Sequence, residues 1–268
     1  MEHLLSVWSG VAKQLRSASH ILLLLDYDGT LTPIVSSPEL ADLAGGVRQL
    51  LEALARKRQL TLAIISGRAL VDIKEKVGIS GIVYAGNHGL EIEGPQISFV
   101  SPVAEEFKPV ISRLYGELSQ ALGAIKGAMV EDKGLTLSVH YRQVADEKGE
   151  AVRRIFERIT SDAEVLGKIQ VTSGKKVYEI RPAVAWDKSR VIKVLMDKFR
   201  GGEPKDAPLP VYLGDDLTDE DAFKAIEDYG RGISVFVGEG DSPSSARYFL
   251  QSPDEVAEFL SRLLKEAR

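Results

Sequence analysis

The 268-residue sequence contains no cysteine, which excludes disulfide bonds, thiolate metal sites and cysteine nucleophiles. It also lacks any run of about 20 apolar residues, the length that a helix needs to cross a bilayer. Basic residues are not in excess, since 34 lysines and arginines stand against 39 acidic residues, a net charge of −5. This balance argues against a protein that binds the phosphate backbone of nucleic acids. We therefore expect no nucleic-acid partner and no membrane partner.

The N-terminus has no signal-peptide pattern, because its longest apolar run ends at Asp26 without a cleavage site of small residues. We accordingly expect a cytoplasmic protein. A hydrophobic content of 44% and a charged content of 27% are typical of a globular chain with a full core. The length suggests one or two domains. A monomer is compatible with the sequence.

The rest of the chain is organised around residues 21–32. Five large apolar residues are followed directly by Asp26, and Asp28 comes two residues later, before a Gly29-Thr30 turn. So short an apolar run predicts a strand that is buried on both faces, as a parallel sheet requires. The two aspartates then lie at its carboxyl end, where open α/β sheets bind their ligands. Asp-Gly is also common in ordinary turns, so this motif alone favours a structural role.

Strands and helices alternate on both sides of this stretch. The apolar patterns predict further strands at 60–65, 82–85, 210–213 and 233–237, and helices at 4–18, 47–58, 69–77 and 188–199, with a final helix after Ser252. This alternation is typical of an α/β fold with a doubly wound parallel sheet, a Rossmann-like core. Thr218 and Asp221 predict a capping box at the start of one more helix.

The pattern changes between residues 103 and 182. Long helices at 103–122 and 147–161 accompany strands near 128–131 and at 135–142, 168–172 and 176–181. The alternation of apolar and polar residues in the second strand predicts a sheet with one covered face. The order αββαββ predicts a small antiparallel α+β cap, inserted into the larger domain. We expect a core domain of residues 1–102 and 183–268 and an inserted domain of residues 103–182.

Several predicted strands, far apart in sequence, end in polar residues. Asp26 and Asp28 follow the first, Ser66-Gly67-Arg68 the second, and Asp215-Asp216 a later one, while Lys188 begins a helix. In a parallel sheet these endings share one edge, and crowded carboxyls call for a cation, for which Mg²⁺ is the usual choice beside a phosphate. These groups are the ones that a phosphomonoesterase needs. One carboxylate can act as the nucleophile and a second carboxyl as acid and base, while a hydroxyl and an ammonium hold the phosphoryl oxygens.

These motifs also carry a family resemblance. The segments DYDGTLTPI, SGR and GDDLTDEDAF, with the single lysine, resemble the four motifs of the haloacid dehalogenase superfamily of phosphotransferases. The inserted αββαββ segment resembles the large cap of that superfamily. More narrowly, GNHGLEI, EDKGLTLSVHYR and VYEIRPAVAWDKS resemble trehalose-6-phosphate phosphatases. The resemblance runs from the first strand to the last helix, with Ser189 as a small departure where a glycine is common.

The resemblance implies a role for each matching position of the core. Asp26 would be the nucleophile and Asp28 the general acid and base, while Ser66 and Lys188 would bind the phosphoryl group. It also implies a Mg²⁺ ion, held by the Asp26 side chain, the backbone carbonyl of Asp28, and Asp215.

Other matching residues would surround this centre. Arg68 would shape the phosphate-binding loop and belong to the substrate site, and Asp216 and Asp219 would support the site. Asn87 and His88, at the end of the third strand, would face the sugar.

The inserted domain is expected to recognise the sugar. Period-2 alternation puts His140 and Arg142 on the polar face of their strand, and Glu179 and Arg181 on the polar face of another. Lys133, in the loop before the first of these strands, could reach the same space. We therefore expect Lys133, His140, Arg142 and Glu179 to bind a sugar-phosphate substrate.

Taken singly, each of these residues has an ordinary structural explanation, and the functional interpretation depends on their convergence. The implied reaction is the hydrolysis of trehalose 6-phosphate through an aspartyl-phosphate. Alternatives are a phosphatase of sucrose phosphate or mannosyl-phosphoglycerate, a phosphomutase of the same superfamily, and a non-catalytic sugar-phosphate sensor. The last could dispense with the nucleophile, whereas Asp26, Asp28, Lys188 and Asp215 are all present.

Overall fold

The computed structural model describes residues 1–35, 38–174, 176–184, 186–200 and 207–267. The chain divides into two units, one formed by Met1–Phe99 and Trp186–Arg268 and the other by Val100–Ala185. The predicted boundaries, 102/103 and 182/183, lie three residues inside the second unit at each junction. Among the described residues, no helix is long and apolar enough to cross a membrane.

A nine-stranded sheet forms the first unit. Its strands are β1 (Glu2–His3), β2 (Ile21–Asp26), β3 (Leu60–Ile65), β4 (Val83–Gly86), β5 (Glu91–Gly94), β6 (Ile97–Val100), β11 (Leu209–Gly214), β12 (Ile233–Val237) and β13 (Tyr248–Leu250). They are arranged in the order β1-β13-β12-β11-β2-β3-β4-β5-β6. All pairs from β1 to β4 are parallel, which confirms the predicted parallel sheet.

The edge beyond β4 was not predicted. β5 pairs with β4 in the antiparallel direction, and β6 continues the sheet. The turn between β5 and β6 contains Pro95 and Gln96, and Gln96 has a left-handed backbone (φ 63°). The apolar residues of this segment are few and interrupted by glycine and proline, so their pattern gives a weak strand signal.

Helices cover both faces of this sheet. They are α1 (Trp8–Ser17), α2 (Gly45–Ala55), α3 (Leu70–Val77), α7 (Lys188–Lys198), α8 (Glu220–Asp228) and α9 (Pro253–Glu266). Alternate residues of β2 serve the two faces: Leu23 and Leu25 belong to the core with α1, α2, α3 and α9, whereas Leu22 and Leu24 belong to the core with α7 and α8. Every residue of β2 is buried, as the apolar run predicts.

The second unit is a four-stranded antiparallel sheet with helices on one face. It contains α4 (Pro102–Glu106), α5 (Lys108–Leu122), β7 (Met129–Asp132), β8 (Leu137–His140), α6 (Asp146–Val165), β9 (Ile169–Gly174) and β10 (Val177–Pro182), and the strand order is β7-β8-β10-β9. Leu137, Val139 and Ile180 face a core that includes Leu114, Leu118 and Phe156.

Two local predictions for this unit are wrong. The helix expected at 103–122 is interrupted at Phe107, because Pro109 has no N–H to donate back along the first segment. The strand expected at 135–142 spans only Leu137–His140, so Arg142 lies in the turn that follows it.

Candidate active site

The loop after β2 meets the loop after β11. These strands are parallel neighbours, with Leu25 opposite Leu213, so Asp26 and Asp215 leave the same edge of the sheet. Gly29 has a left-handed backbone (φ +87°), and a Cβ at this position would lie only 2.0 Å from Oδ2 of Asp215. A glycine is therefore required for the close approach of the two loops.

Lys188 joins the two loops through its ammonium group. It is the first residue of α7 and is 3% exposed. Its Nζ donates to Oδ1 of Asp26 at 2.8 Å and to Oδ1 of Asp219 at 2.5 Å. A buried ammonium requires such anionic partners, and Lys188 begins a helix as predicted.

The hydrogen bonds of this network converge on Asp219, for which the sequence predicted only a supporting role. It is fully buried, and its Oδ1 also accepts a hydrogen bond from the Tyr212 hydroxyl, while Oδ2 accepts from the backbone N–H groups of Asp215 and Asp216. Gly214 gives it room, because a Cβ there would lie 2.2 Å from Cγ of Asp219. Four donors thus orient one carboxylate.

The capping box predicted at Thr218 and Asp221 is displaced by two residues. The side chain of Asp216 accepts from the N–H of Thr218, and that of Asp219 accepts from the N–H of Asp216. The spacing Asp216-x-x-Asp219 was the signal that could have identified Asp219.

The carboxylates at this edge carry an excess of negative charge. One oxygen from each of Asp26, Asp215 and Asp219 lies within 4.8 Å of the others. Burial raises the pKa of Asp26 well above its usual range, although Lys188 acts in the opposite direction. Burial, with the neighbouring Asp219 and Asp216, raises the pKa of Asp215 to about 7. Burial lowers the pKa of Lys188, but Asp219 and Asp26 together hold it above its ordinary value.

This group of oxygens suits a hard divalent cation. Asp26 and Asp215 are the members that suit it best, since both oxygens of Asp219 already accept two hydrogen bonds each. The side chain of Asp28 is not a member of the group. A role for Asp28 at the metal would depend on its backbone carbonyl, as the resemblance implies.

Arg68 holds Asp28 with two parallel hydrogen bonds. Its Nε donates to Oδ2 of Asp28 at 2.8 Å and its Nη2 donates to Oδ1 at 2.7 Å, while Nη1 donates to Asp72 at 2.8 Å. The guanidinium also lies over the Tyr27 ring, 5.5 Å from its centroid. The expected contact of Arg68 with substrate does not match this arrangement, because its donors are directed to two carboxylates of the protein.

Ser66 and Asn87 occupy adjacent strand ends. Ser66 is 1% exposed and directly follows β3, and its Oγ accepts a hydrogen bond from the N–H of Arg68 at 3.2 Å. Asn87 is fully buried, and its side-chain amide donates to Glu91 at 2.8 Å. The expected contact of Asn87 with a sugar stays a prediction. His88 is partly buried, and both of its ring nitrogens are inaccessible to solvent.

The second unit presents a polar sheet face opposite its core. Glu179 pairs with Ser138 across β10 and β8, so their side chains share this face. Lys133 forms an ion pair with Glu179 at 3.6 Å, Arg181 donates to Glu179, and His140 bonds to Glu131 at 2.8 Å. Arg142 is exposed in the turn after β8. The structure thus brings together Lys133, Glu179 and Arg181, with His140 on the same face.

Comparison with solved structures defines the class of fold. The crystal structure of a haloacid dehalogenase-like hydrolase from Bacteroides thetaiotaomicron is similar over 91% of this chain and 99% of that chain, with a TM-score of 0.63 and 18% identity. The core and its inserted unit therefore have the fold of the haloacid dehalogenase-like hydrolases, as the motifs predicted.

The family is narrower than this class. The family model described as trehalose-phosphatase matches residues 24–254, and this chain belongs to that family. It is 37% identical over 251 residues to a probable trehalose-phosphate phosphatase 4 of Oryza sativa subsp. japonica, covering 92% of this chain and 67% of the relative. The structure of Aspergillus fumigatus trehalose-6-phosphate phosphatase is similar with a TM-score of 0.66 and 29% identity, over 97% of each chain. The predicted family is confirmed.

Proposed function

We propose that this protein is a Mg²⁺-dependent phosphatase that hydrolyses trehalose 6-phosphate to trehalose and phosphate. The observation that carries the proposal is the buried contact of Lys188 with both Asp26 and Asp219 at the carboxyl edge of the sheet. This contact places the ammonium of Lys188, a fixed positive charge, beside the carboxylate proposed as the nucleophile, in a chain that belongs to the trehalose-phosphatase family. The substrate is taken from the names of the rice and Aspergillus relatives.

Asp26 is the proposed nucleophile. Its Oδ1 accepts from Lys188, which leaves Oδ2 to attack phosphorus. A bond then forms between Asp26 and phosphorus while the bond from phosphorus to the sugar oxygen breaks. Lys188 and the hydroxyl of Ser66 are proposed to hold the phosphoryl oxygens, where negative charge is concentrated.

Asp28 is the proposed acid and base. It gives a proton to the departing sugar oxygen, and it later removes one from the water that attacks phosphorus and releases Asp26. Both oxygens of Asp28 are bonded to Arg68, so the pair has to separate before Asp28 exchanges a proton with substrate. Arg68 is therefore proposed to hold Asp28 in place between turnovers.

Asp26 and Asp215, with the backbone carbonyl of Asp28, are the proposed ligands of Mg²⁺. When bound, the ion would offset the negative charge of the carboxylates and the phosphoryl group together. Burial is the largest cause of the raised pKa values of Asp26 and Asp215, and neighbouring carboxylates raise both further, so a cation at this position would stabilise their charged forms.

The polar sheet face of the second unit is proposed to bind the sugar. Lys133, Glu179 and His140 offer charged donors and acceptors, which form strong, directional hydrogen bonds with hydroxyl groups. A site built for many hydroxyls rejects analogues that lack them. Arg142 remains a candidate, because it is exposed in the turn that follows His140.

Phosphate release from a panel of sugar phosphates tests the proposal. The panel contains trehalose 6-phosphate, sucrose phosphate, mannosyl-phosphoglycerate and glucose 6-phosphate, each assayed with Mg²⁺ and with a chelator. We expect the highest kcat/KM for trehalose 6-phosphate and loss of activity in chelator. Faster hydrolysis of another sugar phosphate, or isomerisation that requires a bisphosphate primer, would overturn the proposal.

A further inference from the structure

Two loops leave the adjacent strands β3 and β4 and remain bonded to each other. Ser66 donates its N–H to Ala85 at 2.9 Å, which continues the ladder for one residue beyond β3. Donation also runs from the second loop to the first: the N–H of His88 donates to the carbonyl of Ser66 at 2.9 Å, and that of Asn87 donates to the carbonyl of Arg68 at 2.7 Å. The segment 66–68 is thus held at both ends by residues 87 and 88.

Asn87 and His88 adopt an unusual backbone to form these bonds. Both have left-handed conformations, with φ of 51° and 56°, although neither is a glycine. Side chains with a Cβ disfavour this region, so the surrounding contacts must hold the dipeptide there. The bond from the Asn87 amide to Glu91 is one such contact, and it anchors the dipeptide to the start of β5.

The ring of His88 lies directly against Gly67. A Cβ placed on Gly67 would be 2.6 Å from both Cε1 and Nε2 of His88, and its three nearest heavy atoms would all belong to that ring. The backbone of Gly67 is not in the left-handed region, so alanine could adopt its conformation. A side chain at position 67 would therefore require the His88 ring or the segment that carries Gly67 to move, and the reason is this contact and not the φ of Gly67.

We propose that Asn87 and His88 are positioning residues that hold the segment 66–68 in its working shape. This segment carries the Ser66 hydroxyl, which accepts from the N–H of Arg68, and the guanidinium that holds Asp28. The backbone hydrogen bonds from Asn87 and His88 hold the carbonyls of Arg68 and Ser66 in place. The ring of His88 packs against Gly67 and so limits where the backbone between them can lie. The consequence for catalysis rests on the proposed function, in which Ser66 holds the phosphoryl group.

A pair of substitutions and their combination test this inference. Gly67→Ala should reduce kcat/KM by about 100-fold, because its methyl group displaces either the ring or the segment 66–68. His88→Ala should reduce it by about 10-fold, because the segment loses its support. In the double variant the methyl group has room, so kcat/KM should return to within about threefold of the His88→Ala value. If Gly67→Ala reduced kcat/KM by the same factor in the wild-type protein and in His88→Ala, the two effects would be independent and the proposal would be overturned.

Two further measurements separate positioning from general stability. The inhibition constant of inorganic phosphate should rise in both single variants, because the Ser66 hydroxyl is displaced. The matched control is His20→Ala, a partly buried histidine that bonds to Thr61 at the opposite end of β2 and β3. It should leave the phosphate inhibition constant unchanged. An equal rise in His20→Ala would show that the effect is general, and would contradict the proposal.

Hydrogen exchange tests the positioning without any substrate. The amides of residues 87 and 88 should exchange faster in each single variant, and no faster in the double variant than in His88→Ala. If the wild-type protein hydrolysed no sugar phosphate, the proposed function would fail, while this exchange cycle would still decide the positioning role. Unchanged exchange in both single variants would refute it.

Discussion

The substitution Asp219→Asn tests the hydrogen-bond network that converges on Asp219 in the active site. In the wild-type protein, Oδ1 of Asp219 receives Lys188 and Tyr212, and Oδ2 receives the backbone N–H groups of Asp215 and Asp216. Asparagine has almost the same shape, but one of its two acceptors is replaced by an NH₂ group. Whichever way the amide is turned, two donors then face another donor.

The size of the effect follows from these contacts. A buried donor left without an acceptor costs about 1–3 kcal/mol, and two donors are affected. Lys188 also loses one of its two anionic partners. We expect the free energy of unfolding to fall by about 4 kcal/mol, a large part of the roughly 5–15 kcal/mol that stabilises a typical protein. In a domain of 150–250 residues this corresponds to a decrease in Tm of about 10 °C.

Thermal unfolding followed by circular dichroism, in chelator, measures this change. The matched control is Asp216→Asn, in the same loop. Asp216 is exposed and accepts from the N–H and the hydroxyl of Thr218, and asparagine caps helices equally well. The control should therefore change the free energy of unfolding by less than about 0.5 kcal/mol. A decrease in Tm for Asp219→Asn no larger than that of the control would refute the reasoning.

Three further predictions concern chemistry and binding. Asp26→Asn should lose phosphate release by several orders of magnitude and keep its far-ultraviolet spectrum, because an amide is a poor nucleophile; substantial residual turnover would exclude Asp26 from this role. With Asp215 as a proposed ligand, Mg²⁺ has to displace the proton that Asp215 holds below its pKa of about 7, so affinity measured by calorimetry should rise as the pH is raised toward 7. A Mg²⁺ affinity that stays constant between about pH 5.5 and about pH 8.5 would contradict this coupling of metal binding to the loss of a proton from Asp215. Lys133→Ala and Glu179→Ala should each lower kcat/KM for trehalose 6-phosphate by tens-fold, about 2 kcal/mol for a lost charged hydrogen bond, and leave hydrolysis of p-nitrophenyl phosphate unchanged. Equal losses on both substrates would indicate a structural role for these two residues.

Local pattern was enough to predict the elements and the edge at which the chemistry gathers. The run Ile21–Leu25 is apolar on both faces, and only a strand inside a covered parallel sheet buries both. Once the sheet is parallel, Asp26, Ser66 and Asp215 must share an edge, since Asp26 ends its strand and Ser66 and Asp215 each directly follow one. The alternation around Val139 likewise predicted which face of the inserted sheet is apolar.

The directions of the polar side chains were decided only by the tertiary structure. In sequence, Asp219 has only the supporting role that the resemblance implies, and its four hydrogen bonds arise because Lys188, Tyr212 and two backbone amides converge on it in the fold. Arg68 could have faced a substrate, but Asp28 and Asp72 both lie within reach of its guanidinium. The spacing of apolar residues along the chain predicts which side chains are buried. A hydrogen bond depends on the positions of two atoms from remote segments, which only the folded chain brings together.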